Sequence, residues 1–132
     1  MKQSGFKFTN PKVTKFVFET NPLFSPGESQ TNISNMFEVE ISKSEKENEA
    51  IVQLNVLIGT KKFGKEDPFY VDMTIGAKFF WDDVYDEETI HQLLSINAPS
   101  LLLGYARPIV SQITASSPFT TYTLPFYNFL AD

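Results

Sequence analysis

The 132-residue sequence contains no cysteine, a single histidine and a single tryptophan. The absence of cysteine excludes disulfides, thiolate metal sites and cysteine nucleophiles, and it is compatible with a reducing compartment. No run of about 18 apolar residues occurs, so the sequence predicts no membrane insertion. The first residues also lack the apolar core of a signal peptide. These absences predict a soluble, cytoplasmic protein.

Basic residues are also scarce. The chain has 11 Lys and Arg residues against 16 Asp and Glu residues, which gives a formal net charge of -5 and a pI near 4.8. This balance argues against nucleic-acid binding, because phosphate contacts require clustered positive charge. The length predicts one domain over residues 1–132, and 42% hydrophobic residues are enough for an ordinary globular core.

Motifs that carry chemistry are missing as well. The sequence has no nucleophile elbow, no phosphate-binding loop and no dinucleotide-binding glycine pattern. Acidic residues between 82 and 88 lack the spacing of a calcium loop, and they favour a helix start capped by Asp83 or Asp86. His91 has no second histidine or carboxylate at ligand spacing. The sequence therefore predicts no enzyme, no cofactor and no metal site.

Four segments show the alternation of apolar and polar residues that is typical of strands. They cover residues 13–19, 37–41, 51–58 and 69–81. A loop over 20–35, a charged hairpin over 43–49 and a turn over 59–68 separate them. Short connections between consecutive strands predict an antiparallel meander of four strands.

The pattern changes to helical spacing after Trp81. A first helix is predicted around Ile90, and Asn97 is predicted to cap a second one. The apolar positions of this second helix are spaced for one stripe: Leu101, Leu102, Tyr105, Ile109 and Ile113. Pro108 predicts a kink or an early end, and Pro125 could begin another short helix. Strands followed by helices predict an α+β fold.

Aromatic residues are abundant, with 13 Phe, 5 Tyr and 1 Trp. Many of the phenylalanines lie outside the clearest strands: Phe6, Phe8, Phe16, Phe18, Phe24, Phe119, Phe126 and Phe129. One interpretation is that they complete the core. The other is that some of them form an exposed apolar surface, which on a soluble protein marks an interface with other polypeptides.

Nearly the whole chain resembles a known family, most strongly in its second half. Residues 97–107, Asn-Ala-Pro-Ser-Leu-Leu-Leu-Gly-Tyr-Ala-Arg, resemble the segment of the bacterial protein-export chaperone SecB that leads into Tyr-Ala-Arg. Residues 124–129 are similar to the family's Ala-Pro-Val-Asn-Phe segment, and residues 69–76 resemble its last strand, with an acidic residue followed by glycine. Residues 13–19 are loosely like its first strand.

This resemblance implies a SecB-like four-stranded antiparallel sheet backed by C-terminal helices, in a tetramer built as a dimer of dimers. It implies capture of unfolded polypeptides in apolar grooves without ATP, and delivery of preproteins to the translocase motor SecA. The implied client-binding residues are Leu23, Phe24, Phe126, Phe129 and Leu130. The implied oligomer or helix packing residues are Leu101, Leu102, Tyr105 and Ile109. Asp72 corresponds to an acidic position at which the motor docks.

The sequence also departs from the family's pattern. The family's second helix and its zinc-associated tail are expected to be truncated, so the sequence resembles a short form. A dedicated partner-binding protein, such as an antitoxin-type chaperone, or a relative without an export role is therefore the alternative. Assembly as a dimer is likewise open beside the tetramer. A small-molecule-binding or enzymatic domain has no residue to support it.

Overall fold

The computed structural model describes residues 4–24, 33–61, 67–119 and 121–130, which form an antiparallel sheet with a helix on one face. Strands β1 to β5 of this described part are Phe6–Phe8, Lys12–Thr20, Asn35–Lys43, Glu49–Ile58 and Phe69–Trp81. A helical region follows and consists of α1 (Glu87–Gln92), a π-helical turn (Leu93–Asn97) and α2 (Ala98–Ala115). The predicted α+β class with an antiparallel sheet is confirmed.

The strand order departs from a simple meander. Strands β3, β4 and β5 are consecutive antiparallel neighbours as predicted, but β2 pairs with β5 and not with β3. The short strand β1, which alternation did not predict, pairs with the Trp81 end of β5 along the same edge as β2. Strand β5 is buried along most of its length, so it requires neighbours on both edges. The connection over residues 21–34 is long enough to bring β2 to that position.

The two faces of the sheet differ in character. On the inner face, β4 contributes four side chains with no solvent exposure, Val52, Leu54, Val56 and Ile58, and they pair across to apolar residues of β5. Each such side chain contributes about 1.5–3 kcal/mol when it is fully buried. Helix α2 covers this face. The outer face carries mainly polar side chains, which explains the alternation seen in the sequence.

One glycine is required at the turn after β4. Gly59 has a φ of 75°, in the left-handed region that favours glycine. A Cβ atom there would also clash with the backbone oxygen of Phe69. The end of β4 can therefore approach the start of β5 only if residue 59 is glycine.

The helical region runs without a break from residue 87 to residue 115. Asp86 caps it, because its carboxylate accepts a hydrogen bond of 2.7 Å from the backbone N–H of Thr89, as the sequence predicted. Further along the chain, α2 packs against β4 and β5. The residues of its buried side are Ala98, Leu102, Leu103, Ala106 and Val110. None of the described helices is long and apolar enough to cross a membrane.

Two helix predictions are wrong, and of the two outcomes predicted for Pro108 the early end does not occur. Asn97 has helical backbone angles and makes no capping hydrogen bond, because the π-helical turn joins α1 to α2 and leaves no new helix start. Helix α2 continues past Pro108 to Ala115. Gly104 and Pro108 both lie on the exposed side, so water can satisfy the carbonyl oxygen that loses its partner. Residues 121–128 form no helix after Pro125.

Candidate functional site

Aromatic rings cluster at the end of the inner face where β5 begins. The ring of Phe69 lies 5.9 Å from the ring of Phe18 and 5.9 Å from that of Tyr122, measured between centroids. Nearby, Phe24 meets Phe119 edge to face at 5.1 Å. Residues that are far apart in the sequence thus meet in ring contacts, and the chain after α2 supplies Phe119 and Tyr122.

We call residues 121–130, which follow α2, the strap. Its backbone is bound by side chains of α2. Thr114 accepts a hydrogen bond of 2.8 Å from the N–H of Tyr122, and the guanidinium Nε of Arg107 donates one of 2.7 Å to the carbonyl of Leu124. Arg107 also lies 3.9 Å from the ring centre of Phe126, a cation–π contact. These contacts hold the strap beside the helix, without regular secondary structure over residues 121–128.

The strap then crosses the inner face of β3. The ring of Tyr127 lies 4.7 Å from that of Phe37, and Phe129 meets the same ring edge to face at 6.3 Å. The hydroxyl of Tyr122 is hydrogen-bonded to the side-chain amide of Asn35. Strand β3 is an edge strand that pairs with β4, so the strap covers apolar surface that the sheet itself leaves open.

The five residues implied to bind clients separate into two groups. Leu23, Phe126 and Leu130 are exposed by 75%, 81% and 69%. Phe24 is buried against Phe119, and Phe129 is half-buried against Phe37. Three of these side chains are therefore accessible to a partner as the chain stands, and two are occupied by contacts within the chain.

The side chains in the apolar stripe of α2 also differ in their solvent exposure. Leu102 is fully buried in the core, whereas Tyr105 is exposed and Leu101 and Ile109 are half-buried. The ring of Phe8 from β1 meets Tyr105 edge to face at 6.3 Å. The exposed side of α2 is thus continuous with apolar side chains of the neighbouring edge of the sheet.

Asp72 lies on the outer face in a polar cluster. Its carboxylate forms an ion pair of 2.7 Å with the ammonium of Lys15 and accepts a hydrogen bond of 2.9 Å from Asn55. A shallow groove of about 370 Å³ adjoins Asn55 and is lined in part by Glu38 and Glu40. Around Asp72, the outer face therefore presents acidic side chains beside Lys15.

The charged groups in this cluster shift one another's pKa values. Burial disfavours the ionised form of Asp72, but hydrogen bonds from Lys15 and Asn55 and the charge of Lys15 outweigh it and lower the pKa of this carboxyl below 3.8. The same hydrogen bond and charge raise the pKa of Lys15. Burial, followed by the nearby charge of Asp72, raises the pKa of the Tyr70 hydroxyl.

Acid titration should reveal the ion pair of Asp72. Because its pKa is lower in the folded chain than in the unfolded chain, its stabilising effect is complete above about pH 4 and is lost as the pH falls through the folded-state pKa. We expect Asp72→Asn, which retains an oxygen for Asn55, to reduce the free energy of unfolding by about 1 kcal/mol at pH 7, since Lys15 is solvent-exposed. Urea unfolding should show the difference from the original chain shrinking between pH 5 and pH 2. A difference that stays constant over this range would contradict the ion pair.

Sequence reasoning missed the residues that hold the strap. Arg107, Ser111 and Thr114 lie on one side of α2 at the spacing i, i+4 and i+7, and that spacing was the available signal. Phe37 was predicted only as part of a strand. Among the described residues, no three His, Cys, Asp or Glu side chains come close enough together to hold a metal ion.

Solved structures with the same architecture define the class of fold. A SecB-like chaperone of Mycobacterium tuberculosis, Rv1957, solved with a ChAD peptide from the HigA1 antitoxin Rv1956, matches with a TM-score of 0.73 at 15% identity over 92% of this chain and 90% of that chain. A protein of unknown function from Streptococcus agalactiae matches with a TM-score of 0.54 at 14% identity, over 95% of this chain and 100% of the other. At these identities the matches establish a SecB-like fold.

The family follows from the sequence comparison. The model of the preprotein translocase subunit SecB matches residues 10–131, so this chain belongs to the SecB family. The protein-export protein SecB of Dinoroseobacter shibae is 31% identical over 107 residues, which are 80% of this chain and 61% of that protein. An uncharacterized protein of Methanocaldococcus jannaschii is 27% identical over 127 residues, covering 94% of this chain and 79% of the relative. The resemblance carried by the Tyr-Ala-Arg segment is confirmed.

Proposed function

We propose that this protein is an ATP-independent chaperone that binds unfolded polypeptides and keeps them from aggregating. The observation that carries the proposal is the display of Leu23, Phe126 and Leu130 on the surface of an acidic protein. Large apolar side chains in such exposed positions are available to contact other polypeptides. Membership of the SecB family supports the same role. The protein acts in the cytoplasm, without catalysis or cofactor and without binding nucleic acid.

Capture on this surface needs only apolar contacts. Each client side chain that becomes fully buried contributes at most about 1.5–3 kcal/mol, so several weak contacts along one extended client add up to a useful affinity. Phe24 joins this surface only when it leaves its contact with Phe119. The net charge of -5 keeps the free protein soluble while the apolar side chains bind.

A second candidate function is binding of one dedicated partner, such as an antitoxin. The structure of the Mycobacterium tuberculosis SecB-like chaperone with an antitoxin peptide favours this alternative. The two functions differ in client range. Protection of several unrelated, chemically denatured proteins from aggregation, followed by light scattering, supports the general chaperone. Protection confined to one cognate partner would support the dedicated role, and protection of none would contradict the general chaperone.

Self-association through the exposed side of α2 is part of the proposal, as a tetramer or a dimer. We expect Tyr105→Asp to lower the mass in solution to that of a monomer without unfolding the chain, because the side chain is 44% exposed and a charge there opposes apolar contact. Val84→Asp introduces the same charge in the turn before α1, at a side chain exposed by 84%, and should leave the mass unchanged. An unchanged mass for Tyr105→Asp would exclude this side of α2 as the interface.

We further propose that the protein delivers preproteins to SecA and that Asp72 is a residue at which SecA docks. We expect Asp72→Lys to weaken binding of SecA at least tenfold in surface plasmon resonance and to leave the oligomer intact, since Asp72 lies on the face opposite α2. Lys15 would then face a second lysine, which destabilises the fold by about 1–3 kcal/mol. Glu88→Lys in α1 makes the same charge change elsewhere and should leave binding unchanged. Loss of the oligomer in Asp72→Lys would show that the outer face has been assigned wrongly.

A further inference from the structure

The contacts between α2 and the strap are directed at the strap's backbone. Arg107 binds the carbonyl of Leu124, and Thr114 binds the N–H of Tyr122. The hydroxyl of Ser111 lies 3.4 Å from the carbonyl oxygen of Tyr122. Backbone groups are the same in every polypeptide, so this row of side chains suits an extended chain of almost any sequence.

The side chains of residues 121–125 alternate as they do in an extended peptide bound on one side. Leu124 is fully buried and Tyr122 half-buried, whereas Thr121, Thr123 and Pro125 are exposed. A period of two places alternate side chains in apolar pockets and the others in solvent. The inner surface of α2 and β3 thus binds an extended segment with large apolar residues at alternate positions.

The strap is fastened to the sheet only loosely. Within the described residues, no backbone–backbone hydrogen bond joins residues 121–130 to β3 or to any other strand. Ring contacts with Phe37 and the pair of Tyr122 and Asn35 hold it there instead. Residues 125–130, which lack such bonds and are mostly exposed, therefore open at a lower free energy than Leu124, which is buried in the core.

We infer that the strap occupies, within its own chain, a binding site for extended polypeptide formed by α2 and β3, and that a client binds this site by displacing the strap. This inference rests on the proposed function and adds the site and its regulation. The ligand is an unfolded chain with large apolar side chains two residues apart. Tyr127 and Phe129 act as competitors of the client at Phe37, which reverses the role that the resemblance implied for Phe129.

Hydrogen exchange in the full chain tests displacement directly. Amide exchange is measured by mass spectrometry with and without a saturating, chemically unfolded protein. We expect the amide of Tyr122, whose N–H is hydrogen-bonded to Thr114, to exchange at least tenfold faster in the complex, while amides of α2 near Leu102 and Leu103 keep their protection. A complex in which the strap keeps or gains protection would overturn the inference.

A peptide added to the full chain tests the site without any client. The probe is a dye-labelled peptide with the sequence of residues 119–130, followed by fluorescence anisotropy. Tyr127→Ser/Phe129→Ser, which removes both ring contacts with Phe37, should bind it at least tenfold more tightly than the original chain does. Thr123→Ala, at an exposed residue of the strap, should bind it as the original chain does. Equal binding by the double variant and the original chain, or none to either, would overturn the inference.

The two measurements separate this inference from the proposed function. If the double variant binds the peptide tightly but neither chain binds unfolded proteins, the site exists and the general chaperone function is wrong. If the original chain captures unfolded proteins while its strap stays protected, the chaperone function stands and the inference is wrong. The double variant keeps Leu124 and the core, and its near-ultraviolet circular dichroism should retain the signal of folded aromatic residues.

Discussion

Leu102→Asp should abolish the folded state. Leu102 has no solvent exposure and lies in the core between α2 and the inner face of the sheet. Loss of a buried leucine side chain alone costs about 2–5 kcal/mol, and a carboxylate without a partner in the same place adds several kcal/mol more. The sum equals or exceeds the stability of most domains, which is about 5–15 kcal/mol. Circular dichroism should show no cooperative thermal transition.

Leu101→Asp is the matched control, because Leu101 precedes Leu102 on the same helix but is only half-buried. This variant should remain folded, with a moderately lower melting temperature, and should lose self-association as Tyr105→Asp does. If Leu102→Asp melts cooperatively near the temperature of the original chain, α2 does not pack on the sheet as described.

Replacement of Leu23 and Leu130 by serine should weaken client binding about 100-fold. Both side chains are largely exposed and make no contribution to the core cluster, so the fold should keep its stability. We expect each to contribute apolar contact worth about 1.4 kcal/mol with a bound client, which corresponds to a factor of ten in the dissociation constant. Anisotropy of a labelled, chemically unfolded protein measures the change.

Val84→Ser is the control for this pair. Val84 is exposed by 84%, but it follows the Trp81 end of β5, whereas Leu23 lies near the Phe69 end. This variant should bind clients as the original chain does. If Val84→Ser weakens binding as much as the pair does, capture depends on overall surface hydrophobicity and no particular surface is involved.

The strands could be predicted because one face of the sheet is buried and the other is mostly polar. The predicted bounds of β5, residues 69–81, match the structure, since its alternation extends over 13 residues. Alternation indicates where strands lie but carries no information on which strands pair. The position of β2 beside β5 therefore escaped prediction, and β1, with 3 residues, is too short to show a period.

The strap could not be predicted because its contacts join distant parts of the chain. Tyr122 and Asn35 are separated by 87 positions. Arg107 binds a backbone carbonyl, and because every residue has one, the sequence does not show which carbonyl is bound. Pro125 favoured a helix on local grounds, whereas the contacts of α2 and β3 hold the segment extended. Local propensity is weak compared with such tertiary contacts.

The sequence also could not predict which aromatic residues are buried. Both interpretations of the surplus phenylalanines hold for different residues, since Phe24 is buried and Phe126 is exposed by 81%. The two residues occur in similar loop-like surroundings of the sequence. What separates them is the neighbour that each meets in the fold, Phe119 for one and the guanidinium of Arg107 for the other.

The central claim is that this protein captures unfolded polypeptides, and its mass in solution tests that claim most directly. Multi-angle light scattering would be recorded for the protein alone and again after addition of a chemically unfolded, non-cognate protein. The account predicts a dimer or tetramer that forms a stoichiometric complex with the added chain. A monomer, or an oligomer whose mass does not change when the unfolded protein is added, would contradict it.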